Sequence, residues 1–282
     1  MLGPPWRSFG TPSGTCIRDR DGFERQCVEQ TRSEQAGRVA LGPARALGVL
    51  SLLAMVGLQV ASGLAARPER FTGLIVALLA ASAVAFAAGA WGTRRALAAF
   101  GAAVLTGYAA EVVGVLTGFP FGEYAYSDVL WPQVGGVPVV VAVAWGGMGL
   151  AAYAVAATLF GGWARVCAGA AALTAWDLFL DPQMVRLGLW TWAADDGFYR
   201  GIPLSNFAGW LLVSALVMLV VGRVAGDAAP GRGLLAVYTV MAVMETIAFA
   251  AVFDPTDPLV AAAGGITMGA FAAPAWRRSW QR

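Results

Sequence analysis

Eight apolar runs follow one another between residues 46 and 276, at about 46–66, 72–92, 96–116, 137–160, 163–181, 206–224, 233–253 and 258–276. Each is close to the ~20 residues that a helix needs to cross a bilayer. Runs of that length, bounded by charged or turn-forming residues, predict an all-α fold: a polytopic transmembrane helical bundle of about eight (7–8) spans. The eighth is the weakest, because Gly264, Gly265 and Pro274 interrupt it. Residues 1–44 mix Gly, Pro, Arg and acidic residues without an apolar period, so a disordered cytoplasmic tail is expected there. Residues 45–282 are then the transmembrane domain that carries the chemistry.

Arginine placement orients the spans, since short cytoplasmic segments collect positive residues. With the N-terminus inside, those segments hold the tail arginines and Arg94, Arg95, Arg165, Arg223, Arg232, Arg277, Arg278 and Arg282. The outer loops keep Arg67, Arg70, Arg186 and Arg200, which predicts an N-in/C-in arrangement. Four carboxylates lie within the apolar runs: Glu111, Asp177, Asp181 and Glu245. Odd-numbered spans run outward in this arrangement, so all four are expected in the outer half of the bilayer, beneath the loops 117–136 and 182–205. Ionisable groups are costly in a membrane, and their gathering at one end predicts a site.

Within Thr174-Ala175-Trp176-Asp177-Leu178-Phe179-Leu180-Asp181-Pro182-Gln183-Met184 the two aspartates are spaced i and i+4. That puts them on one helical face, roughly 5–6 Å apart at Cβ. Like charges so close in a low dielectric do not both ionise, and a carboxylic acid that keeps its proton is a tool for acid chemistry. The plainer reading is that Asp181 ends the helix before Pro182 while Asp177 bonds a neighbouring hydroxyl. The loops concentrate aromatics beside acids, in Thr117–Asp128 and in Trp190-Thr191-Trp192 with Gly197-Phe198-Tyr199. Trp131, Trp190 and Trp192, taken singly, read as a headgroup-level aromatic belt, and Ser205 or Asn206 as a helix N-cap. Taken together, ring faces beside acids are also a way to hold a cation.

Composition narrows the chemistry. With 58% hydrophobic residues, 13% charged residues and a mean hydropathy of +0.65, the chain is a multi-pass integral membrane protein, expected in the cell membrane with the lipid bilayer as its partner. All 19 cationic side chains are arginine and the net charge is +2, which argues against nucleic acid as a partner. There is no histidine, so acid and base work falls to Asp, Glu or Tyr. Cys16, Cys27 and Cys167 are too scattered for a metal site or a disulfide framework. A metal-dependent prenyltransferase would need more cations near the aspartates than Arg186 and Arg200. A proton-coupled transporter would more often carry inverted repeats or broken helix pairs. Acid catalysis on a membrane-dissolved alkene fits the inventory: an aspartic acid protonates the double bond, aromatic faces hold the carbocation, and water adds, with no cofactor and no metal.

Thr117–Asp128, Thr174–Met184 and Gly201-Ile202-Pro203-Leu204-Ser205-Asn206-Phe207-Ala208-Gly209-Trp210, together with Gly135-Gly136-Val137-Pro138 and the apolar run to Trp145, closely resemble the CruF-type carotenoid hydratases. The resemblance covers roughly residues 46–276. It implies a hydro-lyase of carotenoid biosynthesis, adding water across the terminal 1,2 (1′,2′) double bond of an acyclic carotenoid end group, a reaction that the residue inventory above would run without a cofactor. It also implies a carotenoid substrate, with other carotenoid biosynthesis enzymes as further partners. The residues themselves suggest Asp177 or Asp181 as proton donor, with the other orienting water and Glu111 and Glu245 tuning the pair or relaying protons. Tyr124, Trp176 and Trp210 are expected to line the cation site, with Glu123, Tyr126, Asp128 and Asn206 as further substrate-binding candidates. One departure from the family pattern is Ala125, where a histidine often stands in the Glu-Tyr-x-Tyr stretch. A carotenoid cyclase, which lets an internal double bond trap the same cation, and a non-catalytic carotenoid-binding or transport protein remain alternatives.

Overall fold

The computed structural model describes residues 42–193, 197–226 and 228–281. The expectation of a disordered tail over residues 1–44, and with it Cys16 and Cys27, therefore lies almost wholly outside the described residues. Among these, every predicted run is a helix: α1 (Pro43–Gly63), α2 (Thr72–Trp91), α3 (Thr93–Thr117), α4 (Val139–Leu159), α5 (Gly162–Arg186), α6 (Leu204–Ala225), α7 (Arg232–Ile247) and α8 (Pro258–Trp280). A wider π turn, Ala248–Val252, prolongs α7. Seven of the eight are long and apolar enough to cross a membrane. The exception by hydropathy is α5, which carries Asp177 and Asp181. The chain is an all-α polytopic bundle.

Local chemistry accounts for the boundaries. Pro43 and Pro258 occupy the first turns of α1 and α8, where their missing N–H is no loss. Asp257 caps α8, accepting from the Val260 N–H at 3.2 Å. Gly118 closes α3 in a left-handed conformation, φ +73°, that suits glycine. Against expectation, α5 does not end at Asp181 but continues through Pro182 to Arg186. Proline lacks the N–H that would bond the Leu178 carbonyl one turn back, and the Tyr199 hydroxyl donates to that carbonyl instead, at 3.0 Å.

The most enclosed helix is α4, apolar on all sides, as expected of an element surrounded by its neighbours. It packs against α2, α3, α5, α6, α7 and α8. The two long loops are tied together by an antiparallel ribbon of β1 (Tyr124–Tyr126) and, after the short pair β2 (Gln133–Val134) and β3 (Val137–Pro138), β4 (Trp190–Trp192). Its register sets Tyr124 opposite Trp192 and Tyr126 opposite Trp190. Strand side chains alternate between faces, so these four rings share one face while Ala125 and Thr191 are exposed on the other.

Candidate active site

Under the ribbon lies a cavity of about 390 Å³. Its walls come from the C-terminal ends of α1, α3, α5 and α7 and the N-terminal ends of α2, α4 and α6, so it occupies one end of the bundle. Glu111, Asp181 and Glu245 line it, as do Tyr124, Tyr126, Trp176, Asn206 and Trp210. Asp177 is fully buried behind this surface and is not part of the wall. Glu123 and Asp128 are exposed and take no part in the cavity. For Glu123 the reason is strand alternation, which sends it to the face opposite Tyr124.

Two polar clusters meet at this end. In the first, Glu111 accepts at Oε2 from the hydroxyls of Tyr124 and Tyr126, the latter at 2.8 Å, and at Oε1 from Trp145 Nε1 at 3.0 Å. Burial, followed by the charge of Glu111, holds both phenols above the ordinary tyrosine range, so both remain donors. Room for these donors comes from the helix face itself. Gly107 and Gly114 flank Glu111 on α3, and a Cβ at either would meet the Trp145 ring at 2.3 Å or the Tyr124 hydroxyl at 2.8 Å. The three positions follow the spacing of a single helical stripe.

In the second cluster, the side-chain amide of Asn206 bridges the aspartates. Its Nδ2 donates to Asp177 Oδ2 at 2.8 Å and also to Asp181 Oδ2. Asp181 Oδ1 accepts from Trp190 Nε1 at 3.0 Å, whereas Asp177 Oδ1 is buried without a partner among the described residues. Asn206 is therefore not an N-cap: Pro203 holds that position, and Ser205 donates to the Phe121 carbonyl at 3.0 Å. No hydrogen bond joins Glu245 to either aspartate or to Glu111.

Aromatic rings complete the enclosure. Trp145 and Trp210 stack with centroids 4.2 Å apart, and Trp176 meets Trp210 edge-on at 6.1 Å. The belt reading fails for Trp190, which is buried and bonded to Asp181, and for Trp192, which lines the cavity beside Tyr124 at 5.3 Å. It fits Trp131, which is 84% exposed. Sequence reasoning also passed over Trp145 and Gln59 as site residues. The alternation in Tyr-Ala-Tyr and Trp-Thr-Trp was the available signal for the inward rings. No signal of comparable strength marks Gln59, a lone amide near the end of an apolar run.

A bundle of long apolar helices with a greasy, ring-lined cavity tipped by buried carboxyl groups defines the class: a polytopic membrane protein with a largely apolar chamber at one end. The chain belongs to the carotenoid biosynthesis protein family, which matches residues 72–271. Over 133 residues it is 38% identical to the bisanhydrobacterioruberin hydratase of Haloarcula japonica, a stretch that covers 45% of this chain and 45% of that relative. The match thus spans less than half the length of the relative. No solved structure matches the chain.

Proposed function

We propose that the protein hydrates the terminal 1,2 (1′,2′) double bond of an acyclic carotenoid end group, without a cofactor, in the cell membrane with both termini on the cytoplasmic side. The observation that carries this reading is the position of Asp181: an acid on the wall of an aromatic cavity, joined through Asn206 to a second, enclosed acid. Two carboxyl groups this close favour holding one proton between them.

In the proposed reaction Asp181 gives its proton to C2 of the terminal alkene, and the positive charge develops at the tertiary C1. Trp176, Trp210 and Tyr124 present ring faces or edges to the same cavity, and ring faces attract cations. Water adds at C1, and the proton that it sheds returns to the aspartate pair, which restores the acid. The net change is one water added and one tertiary hydroxyl formed. Preorganised donors and a dry setting are the means of lowering the barrier for protonating so weak a base. Asp177 serves as the reservoir of the shared proton, because it lies behind the wall that substrate would touch.

Expression in a carotenoid-producing host, followed by mass spectrometry of the pigments, tests the proposal. A product heavier by one water supports hydration. A product of unchanged mass but altered retention supports cyclisation, and unchanged pigments support binding or transport without chemistry.

A further inference from the structure

Hydration needs a second reactant, and the group expected to hold it does not reach the cavity: Asp177 is enclosed. The wall formed by α1 and α7 carries three polar side chains that the proposed protonation does not use: Ser62, whose hydroxyl donates to the Pro68 carbonyl at 3.3 Å, and Gln59 and Glu245. Gln59 Nε2 approaches Met241 Sδ at 3.7 Å, and Met241 lies one helical turn from Glu245 on the same face of α7. What the pair leaves unused is acceptor surface. Gln59 Oε1 and Glu245 Oε2 are buried without a hydrogen-bond partner among the described residues, and Glu245 is only 6% exposed. Their surroundings are apolar, with Ile75, Leu79, Met244 and Ala248 on the same surface.

Buried polar atoms in native proteins are nearly always paired with protein or with ordered water, and each orphan calls for an explanation. A hydrocarbon chain would satisfy neither oxygen. Two acceptors carried by side chains that line one chamber match a molecule with two hydrogens to donate, and water has two where an alcohol has one.

We propose that Gln59 and Glu245 form the station that holds the water consumed in the reaction, accepting one hydrogen each and leaving its lone pairs free to attack the carbocation. This rests on the hydration reading above and adds to it the source of the nucleophile. It also divides the labour between walls: Asp181 on α5 supplies the proton, and α1 with α7 supplies the water. Gln59 lies outside residues 72–271 matched by the family, so α1 contributes a part of the site that the family match leaves out.

The test separates protonation from capture. Full-length protein in membranes is given an acyclic polyene in deuterated water, and both hydrated product and deuterium incorporated into recovered alkene are measured. Protonation without capture returns the cation to alkene carrying deuterium. Gln59→Leu and Glu245→Met should lower the ratio of hydration to deuterium incorporation by about tenfold or more, the effect of losing a charge-assisted or fully buried hydrogen bond. Glu245→Gln, which keeps an acceptor in place, should recover much of that ratio. An unchanged ratio in both variants, or hydration and incorporation falling together, overturns the water station. So does a loss confined to a polyene that already bears a hydroxyl, which would make the pair a receptor for that group. Wild-type protein that yields neither hydrated product nor deuterated alkene would instead overturn the hydration reading itself.

Discussion

The hydroxyl of Tyr199 donates to the carbonyl of Leu178 at 3.0 Å, the acceptor that Pro182 leaves without its usual helical donor. A residue from the loop after β4 thereby completes the turn of α5 that carries Asp181. Burial and the nearby charge of Asp257 push the phenol up to about 12, so it stays a donor through the physiological range. Tyr199→Phe should cost about 1 kcal/mol of stability, read as a lower midpoint of thermal unfolding in detergent. It should also reduce turnover with no change in which product forms.

Trp190 and Trp131 make a matched pair of controls. Both are loop tryptophans, yet Trp190 donates to Asp181 and Trp131 is exposed. Trp190→Phe removes a donor from the acid and should slow hydration by about tenfold or more. Trp131→Phe should leave the rate within twofold, about the noise of such an assay, since it touches nothing in the cavity. Equal effects would mean that the indole–carboxylate bond plays no part in the chemistry.

Asp181→Asn should abolish turnover, a loss of about 10²–10⁴ being typical for removing a general acid. Asp177→Asn should also abolish it, by removing the partner with which the proton is shared. Asn206→Leu leaves both carboxyl groups but takes away the amide that joins them, and its product yield should fall as well. Pigment analysis alongside a measure of protein in the membrane distinguishes lost chemistry from lost folding.

How far the sequence disclosed this site depends on how local each feature is. Apolar runs are local, so all eight helices were legible, as was the spacing that puts Asp177 and Asp181 on one face. The ribbon pairs residues 124–126 with residues 190–192. Such a pairing is non-local, so its inward face was hidden and Trp190 and Trp192 read as belt residues. The passage of α5 through Pro182 was hidden for a related reason, because the donor that makes it tolerable arrives from residue 199. Exposed Glu123 and Asp128 were grouped with the site by proximity in sequence, which strand alternation does not respect.

Ala125 tests that alternation directly. Its side chain is exposed and stands opposite Thr191, away from the cavity. Ala125→His should therefore leave activity and stability unchanged, within about 0.5 kcal/mol for a surface substitution. Gly114→Val is the contrasting variant, since any Cβ there meets Phe121 and the Tyr124 hydroxyl at 2.8 Å. It should displace the phenol from Glu111 and lower both activity and yield of folded protein.

The ion pair between Arg200 and Asp257, 2.7 Å long, ties the loop bearing Tyr199 to the start of α8. Burial alone would raise the Asp257 carboxyl, but the hydrogen bonds from Arg200 and Val260 and the charge of Arg200 outweigh it. The group is held below its ordinary value of 3.8. A depressed carboxylate stabilises the fold above its unfolded value and loses that contribution as pH falls through the lower folded one. The difference in thermal stability between the protein and Asp257→Ala should thus be constant from about pH 8 to about pH 5 and shrink below about pH 4. A difference that instead grew on acidification would contradict the ionised pairing.

The ribbon also makes the two loops intolerant of changes in length. Side chains along a strand repeat every second residue, so slipping one strand by a single position would exchange everything above it with everything below. Tyr124 and Tyr126 would turn to the aqueous side, Ala125 would cover Glu111, and Glu111 would lose both phenol donors while keeping the one from Trp145. One residue inserted or deleted between Gly118 and Glu123, or between Leu187 and Leu189, should thus be more damaging than most single substitutions in the cavity.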